Sequence, residues 1–339
     1  MINIGIIGCG YWGPNLLRNF TGLLDCSVKI VIDIDYARRN YVKEKYPQIA
    51  TSSQDKDLFS DEIDAVVIAT PAQTHYSLAR EALENKKHVL VEKPLAMSVK
   101  EARELIHLAK KNKLILMVGH TFEYNKAVQE LKRQIKKDII GTPYYLYSQR
   151  LNFGIVRRDI NALWNLAPHD ISIFIYLLEA MPISVSSCGY DFIQKGIEDV
   201  VFMSLEFPGH IAAHIHVSWL DPSKVRKMTI VGSKKMMIYD DMANEKIKIF
   251  DKGIRRENIK DSLGAFDDFK KYQLLQHAGD VTIPKINFEE PLKEECAHFV
   301  ECILKDKKPL TDGENGLRVV QVLEAAQKSL EQEGKNIKI

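Results

Sequence analysis

The chain has 339 residues, 45% of them hydrophobic and 27% charged, with a formal net charge of +2 at pH 7. That length exceeds one ordinary domain of about 100 to 200 residues and suits two with a cleft between them. So small a net charge argues against a nucleic-acid or anionic-membrane partner, and no apolar run approaches the roughly 18 residues needed to cross a bilayer.

An apolar strand from about Asn3 to Ile7 follows the first residues directly, with no basic leader and no small-residue cleavage site, so no secretion signal is expected. Further strands rich in Val and Ile are expected near Val28 to Ile32, Ala65 to Ala69, His88 to Glu92 and Leu114 to Val118. Helices start near Gly13, Tyr36, Thr74 and Ser98, the last with a Ser98-x-x-Glu101 capping box. Strand and helix in alternation mean parallel βαβ units.

After Gly119 the pattern changes. A helix from about Asn125 to Lys137 precedes a strand from Tyr144 to Arg150, and a strongly apolar helix lies around Ile171 to Leu178. Strands then follow without helices between them, near Ser184 to Phe192, Val200 to Phe207, Ile211 to Trp219, Lys227 to Gly232 and Lys235 to Tyr239. Such a run argues for an antiparallel sheet. Helices over about Phe288 to Lys305 and Gly313 to Glu331 close the chain. The fold class expected is α/β, with a doubly wound Rossmann sheet over 1–121 and an α+β domain with an open, mostly antiparallel sheet over 122–339. The last helix is placed to pack back on the first domain. The five cysteines are scattered, odd in number and without a C-x-x-C pair, as reduced thiols of a cytoplasmic protein are.

Gly8, Gly10 and Gly13, with Cys9, Tyr11 and Trp12 between them, follow the first strand and open a helix, the setting a dinucleotide fingerprint requires. Gly8 allows the tight turn, Gly10 lets backbone approach a pyrophosphate, and Gly13 allows close helix packing, while the helix N-terminus supplies amide donors. Asp33, twenty residues beyond Gly13, can accept from ribose hydroxyls and would repel a 2′-phosphate, which favours NAD over NADP even with Arg38 and Arg39 nearby. Thr70 and Pro71 end the third strand and Glu92 the fourth, where open parallel sheets bind ligands. Pro94 then bends the chain away and leaves Lys93 over the cleft.

Gly8 to Gly13, Ala69-Thr70-Pro71 with His75, Glu92-Lys93-Pro94, and the pair Asn165 and His169 together resemble the Gfo/Idh/MocA family over nearly the whole chain. The resemblance implies NAD(P)-linked oxidation or reduction of a sugar, cyclitol or nucleotide-sugar hydroxyl, and a homodimer or homotetramer formed through the second sheet. It casts His75 and Lys93 among the cofactor ligands, Lys93 as the lysine that bonds both the reacting hydroxyl and the nicotinamide ribose, and His169 as proton acceptor. A neutral imidazole can take the proton that hydride departure makes acidic, and an ammonium stabilises the alkoxide. The family usually has aspartate where Asn165 stands, and an amide cannot stabilise imidazolium as a carboxylate does.

The resemblance also places substrate contacts at the junction, where His120 and Asn125 are candidate hydroxyl ligands. Arg150, Asn152, Arg157 and Arg158 lead into the Asn165 helix and can receive an anionic group. Trp164 to His169 and Ser218 to Pro222 look like family members that oxidise the 3-hydroxyl of UDP-N-acetylhexosamines or their uronates. Two rival readings stand beside this one: a glycosidase of the same family that uses NAD for transient oxidation, and a non-catalytic NAD(H) sensor suggested by Asn165. His210, His214 and His216 share one strand face without the further ligands a metal needs, so no metal is expected. Lys224, Arg226, Lys227, Lys234 and Lys235 read as a surface patch on one hairpin, and no nucleic acid is expected there.

Overall fold

The computed structural model describes residues 1–258 and 272–339. The first domain runs β1 (Ile2–Ile7), α1 (Gly13–Thr21), β2 (Cys26–Ile32), α2 (Tyr36–Lys45), β3 (Ala50–Ser52), β4 (Ala65–Ile68), α3 (His75–Glu84), β5 (His88–Glu92), α4 (Val99–Asn112) and β6 (Leu116–Gly119). Its six strands are parallel in the order β3-β2-β1-β4-β5-β6. All four residues of β4 are buried, as expected of a strand covered by helices on both faces. Chain order reverses between β1 and β4, the crevice where doubly wound sheets take their ligands. Ile7 pairs with Ile68, Ile68 with Val91 and Glu92 with Gly119, so Gly8, Ala69 and Glu92 come out along one carboxyl edge. Ser98 caps α4 by accepting from the Glu101 amide at 3.2 Å, and the Glu101 carboxylate accepts from Met97 N at 3.1 Å.

The second domain continues with α5 (Lys126–Lys136), β7 (Pro143–Phe153), α6 (Ala162–Leu178), β8 (Ser184–Tyr190), β9 (Val200–Phe207), β10 (Ile211–Ser218), β11 (Leu220–Gly232), β12 (Met236–Asp240), β13 (Ile247–Asn258), β14 (Tyr272–Thr282), α7 (Pro291–Lys305), α8 (Gly313–Glu331) and β15 (Ile337–Lys338). Nine strands form one sheet in the order β14-β13-β12-β11-β7-β10-β9-β8-β15. The β7–β10 pair is parallel and the others are antiparallel, so the sheet is mixed and mostly antiparallel. Strands β13, β14 and β15 are additional to those the apolar patterning suggested. Among the described residues no helix is long and apolar enough to cross a membrane.

Helix α6 starts nine residues before Ile171, the expected centre of the apolar stretch's beginning. The Asn161 side chain caps it by accepting from Trp164 N at 3.1 Å, and Pro168 sits inside the helix. The reason is burial: the helix is wrapped by sheet and by α8, and packing outweighs the hydrogen bond the proline removes. Helix α8 packs on α4 and β6 of the first domain and on α6 and β8 of the second, while Phe299 of α7 meets Phe20 of α1 edge-on at 6.4 Å. A single apolar cluster, including Val91, Val118, Trp164, Phe174 and Val320, runs through both domains. That continuity fixes the walls of the cleft. His210 lies in the turn before β10 with φ +61°, so only His214 and His216 share the strand, where both stack on Phe202.

Candidate active site

A cavity of about 660 Å³ opens between the carboxyl edge of the parallel sheet and the wall formed by α6, β7 and β11. Tyr11, Trp12, Thr70, Pro71, His75, Glu92 and Lys93 line it from one side, and Asn125, Arg150, Asn152, Arg157, Asn165 and His169 from the other.

The glycine loop has the shape a dinucleotide needs. Gly8 has φ +92°, and a Cβ there would lie 2.6 Å from the Ala69 carbonyl. A Cβ on Gly13 would lie 2.1 Å from the Gly8 carbonyl, whereas one on Gly10 would meet nothing within 4 Å. Close packing thus accounts for two of the glycines, and open space over the third is where backbone can approach a phosphate. The Asp33 carboxylate accepts from Cys9 N at 2.7 Å and from Asp35 N at 2.9 Å, which holds it beside the loop with lone pairs left for two ribose hydroxyls. Arg39 donates to the carbonyls of Asp33 and Ile34 at 2.7 and 2.9 Å, so this arginine is spent on the turn. Tyr11 is 83% exposed at the cavity mouth, free to cover a ligand. These features fit a bound nicotinamide dinucleotide.

Glu92 and Lys93 end β5, and the Lys93–Pro94 peptide is cis. The Glu92 carboxylate lies over Gly119, where a Cβ would come within 3.1 Å of it. Lys93 Nζ donates to the Asn165 carbonyl at 2.7 Å, which ties the end of β5 to α6. Burial raises the Glu92 carboxyl above the usual carboxylate range and pulls the Lys93 ammonium below the usual lysine range, each opposed by the other's charge. His169 follows Asn165 by one turn, its ring edge-on to Phe122 at 5.1 Å, and its Nδ1 is buried without a partner among the described residues. Burial, then the positive charges of Lys93, Arg150 and Arg226, hold its imidazole well below the ordinary value, so it is neutral near pH 7. Asn165 Oδ1 accepts from the indole of Trp219 at 3.2 Å.

Several residues assigned from sequence have other duties. His120 is 1% exposed, with Nδ1 bonded to Asn315 Oδ1 at 2.6 Å, and it is not among the residues that line the cavity. His75 reaches the cavity edge with Nδ1 2.7 Å from the Pro94 carbonyl and Nε2 3.0 Å from that of Thr70; burial favours the neutral ring, whose single N–H can donate to one of the two. Asn125 caps α5 by accepting from Ala127 N at 2.8 Å. Arg150 donates to buried Asp170 at 2.6 Å and lies over the Phe122 ring, and Arg157 is paired with Asp159. Lys224, Arg226, Asp241, Phe288 and Glu290 also line the cavity, although the sequence pattern gave them to the surface or to no site. Arg226 comes from the regular part of β11, opposite Arg150, and Lys224 from the irregular stretch just before Val225.

A family model described as "Oxidoreductase family, NAD-binding Rossmann fold" matches residues 2–120, and one described as "Oxidoreductase family, C-terminal alpha/beta domain" matches residues 132–339. The 2,7-anhydro-N-acetylneuraminate hydratase of Escherichia coli (strain K12) is 28% identical over 222 residues, 61% of this chain and 59% of its own length. The UDP-N-acetylglucosamine 3-dehydrogenase of Acidithiobacillus ferrooxidans is 31% identical over 186 residues, 55% of this chain and 57% of its own. The chain thus spans less than two thirds of the length of either of these curated relatives. A solved structure of the Acidithiobacillus ferrooxidans UDP-N-acetylglucosamine 3-dehydrogenase has a TM-score of 0.79 with this fold, covering 98% of each chain at 23% identity. Matched by both domain models in the order the fold displays, the chain belongs to the Gfo/Idh/MocA family of oxidoreductases.

Proposed function

We propose that the protein is an NAD-dependent dehydrogenase that oxidises or re-forms a secondary hydroxyl of a nucleotide sugar, C3 of a UDP-N-acetylhexosamine or its uronate being the leading candidate. The observation that carries this reading is the meeting of Lys93, from the carboxyl end of β5, with the Asn165–His169 turn of α6 inside one cavity. The loop from Gly8 to Gly13, with Tyr11, Trp12, Asp33, Thr70 and Pro71, would hold the dinucleotide. When bound, the nicotinamide supplies the hydride acceptor or donor. Lys93 holds the reacting oxygen and stabilises its negative charge. His169, neutral near pH 7, accepts the hydroxyl proton, and the reverse transfer returns it. The carboxylate of Asp33 and the engagement of Arg39 favour NAD over NADP. Similarity to a UDP-N-acetylglucosamine 3-dehydrogenase supports the substrate class.

A second copy of the chain is the expected partner for the open sheet face, where Tyr145 stacks on Tyr147 and Phe202 on His216 at solvent. Its five cysteines are free thiols, which suits the cytoplasm. Similarity to a hydratase favours one second reading, in which the nicotinamide oxidises and then re-reduces the same molecule, with no net NADH, as in hydration, elimination or glycoside cleavage.

The test is single-turnover formation of NADH from NAD and UDP-N-acetylglucosamine, its uronate, or free sugars, with Lys93→Ala alongside. NADH from a nucleotide sugar, lowered at least a hundredfold in the variant, is expected. Cofactor binding with no NADH from any sugar, and a hydrated, eliminated or cleaved product instead, would replace this reading with the second.

A further inference from the structure

The wall facing the glycine loop carries more positive charge than its own structure uses. In the β7–β11 ladder Arg226 stands directly opposite Arg150. Like charges in that relation destabilise a sheet unless each is compensated. Arg150 is compensated by buried Asp170, with Nε to Oδ2 at 2.6 Å. Among the described residues Arg226 has only Asp241, at 3.6 Å, too long for a hydrogen bond.

The same ladder is irregular just before this point. Leu220 pairs with Phe153 and Val225 with Leu151, so Asp221 to Lys224 bulge out opposite Asn152. The Asp221 side chain accepts from Ser223 N at 2.8 Å and shapes the bulge. Bulges re-aim side chains beside active sites, and this one brings Lys224 to the cavity lining, with no carboxylate in ion-pair range among the described residues. Behind the same wall Trp219, 1% exposed, has an indole that can only donate, and it holds the oxygen of Asn165. The amide nitrogen of Asn165 is left without a partner in the chain among the described residues, and the group it offers a ligand is a donor. Arg226 and Lys224 line the same cavity as Lys93 and His169, and the charge of Arg226 bears on both of those groups.

We propose that Arg226 and Lys224, with the Asn165 amide that lines the same cavity, bind a carboxylate carried on the sugar ring, and that the substrate is a hexuronate and not the neutral hexose. This rests on the dehydrogenase reading and narrows its substrate. A ring carboxylate would accept the charge-assisted bonds that Arg226 now lacks and would place the missing negative charge beside His169, steadying the imidazolium that forms as the proton is taken.

The experiment compares kcat/KM for a UDP-hexose and the matching UDP-hexuronate in the full-length protein, in Arg226→Gln, and in Arg226→Lys, which keeps the charge. The expected result is at least a tenfold preference for the uronate, reduced at least tenfold by glutamine and largely kept by lysine. Equal use of the two sugars, or a preference that survives in Arg226→Gln, overturns the proposal. An equal loss on both sugars also overturns it, because it assigns Arg226 to the diphosphate they share. Should no sugar yield NADH, the dehydrogenase reading fails, and calorimetric titration of the NAD-loaded protein with the same pair decides the anion site alone. Tighter uronate binding, lost in Arg226→Gln, supports the site, and equal binding removes it.

Discussion

At the dinucleotide end of the cavity the groups that matter are backbone atoms: a glycine at positive φ, a carbonyl 2.1 Å from where a Cβ would stand, and the start of α1. At the sheet end they are side chains, each aimed by a partner from elsewhere in the chain, as Arg150 is by Asp170 and Asn165 by Trp219. The contrast teaches that one end tolerates almost no change of shape, while the other tolerates shape changes and depends on charge balance.

The sharpest way to break the contrast is to add one methyl group to the loop. Gly13→Ala forces a Cβ into the Gly8 carbonyl, and a displaced backbone costs about 4 kcal/mol or more, at the upper end for a single substitution. Gly10→Ala meets no protein atom, so its unfolding midpoint in urea should match the parent, while NAD affinity falls at least tenfold because the methyl occupies the approach to the pyrophosphate. A Gly13→Ala protein as stable as the parent, or a Gly10→Ala protein with undiminished NAD affinity, would show that the loop is not shaped as described.

The same contrast explains what could be read from sequence. Gly8 to Gly13, the Ser98 cap and Glu92-Lys93-Pro94 act within a few residues of themselves, so spacing alone exposes them. The apolar strands β1, β2 and β4 to β12 were readable for the same reason, whereas β3, β13, β14 and β15 were not. Arg226 was read as a surface charge because its position opposite Arg150 depends on the pairing of β11 with β7, far back in the chain, and on a bulge that no local pattern announces. His120 was read as a ligand because it follows the last parallel strand, yet α8 arrives from the end of the chain and covers it with Asn315. The apolar run marked only Ile171 to Leu178 of α6, whose first nine residues include Pro168, a proline that burial accommodates inside the helix.

On the sheet side the charge balance can be broken at Asp170. Its replacement by asparagine leaves the Arg150 guanidinium buried without a counter-charge, and such a loss costs about 3 kcal/mol. Urea denaturation should show that loss, with the slope unchanged. A stability within about 0.5 kcal/mol of the parent would mean that the guanidinium turns to solvent and that the Phe122 stack does not hold it.

The smallest expected effect lies at the seam between the two ends, where Glu123 is fully buried and accepts from Asn315 at 3.0 Å. Burial raises its carboxyl from the ordinary 4.5 to about 7. Between those pH values the unfolded chain has released this proton while the folded protein still holds it, so the folded state binds more protons and stability falls as pH rises. Over the whole window the contribution is about 3 kcal/mol, fully present below the unfolded value and gone once pH passes the folded one, and about 2 kcal/mol of it is lost between pH 5 and pH 7.5. Glutamine cannot release the proton, so Glu123→Gln should remove this part of the slope, and its stability relative to the parent should improve steadily from pH 5 to pH 7.5. Urea unfolding of both proteins across that range measures it. Parallel stability curves for the two would mean that Glu123 is ionised throughout, held by charges of α8 and not by its burial.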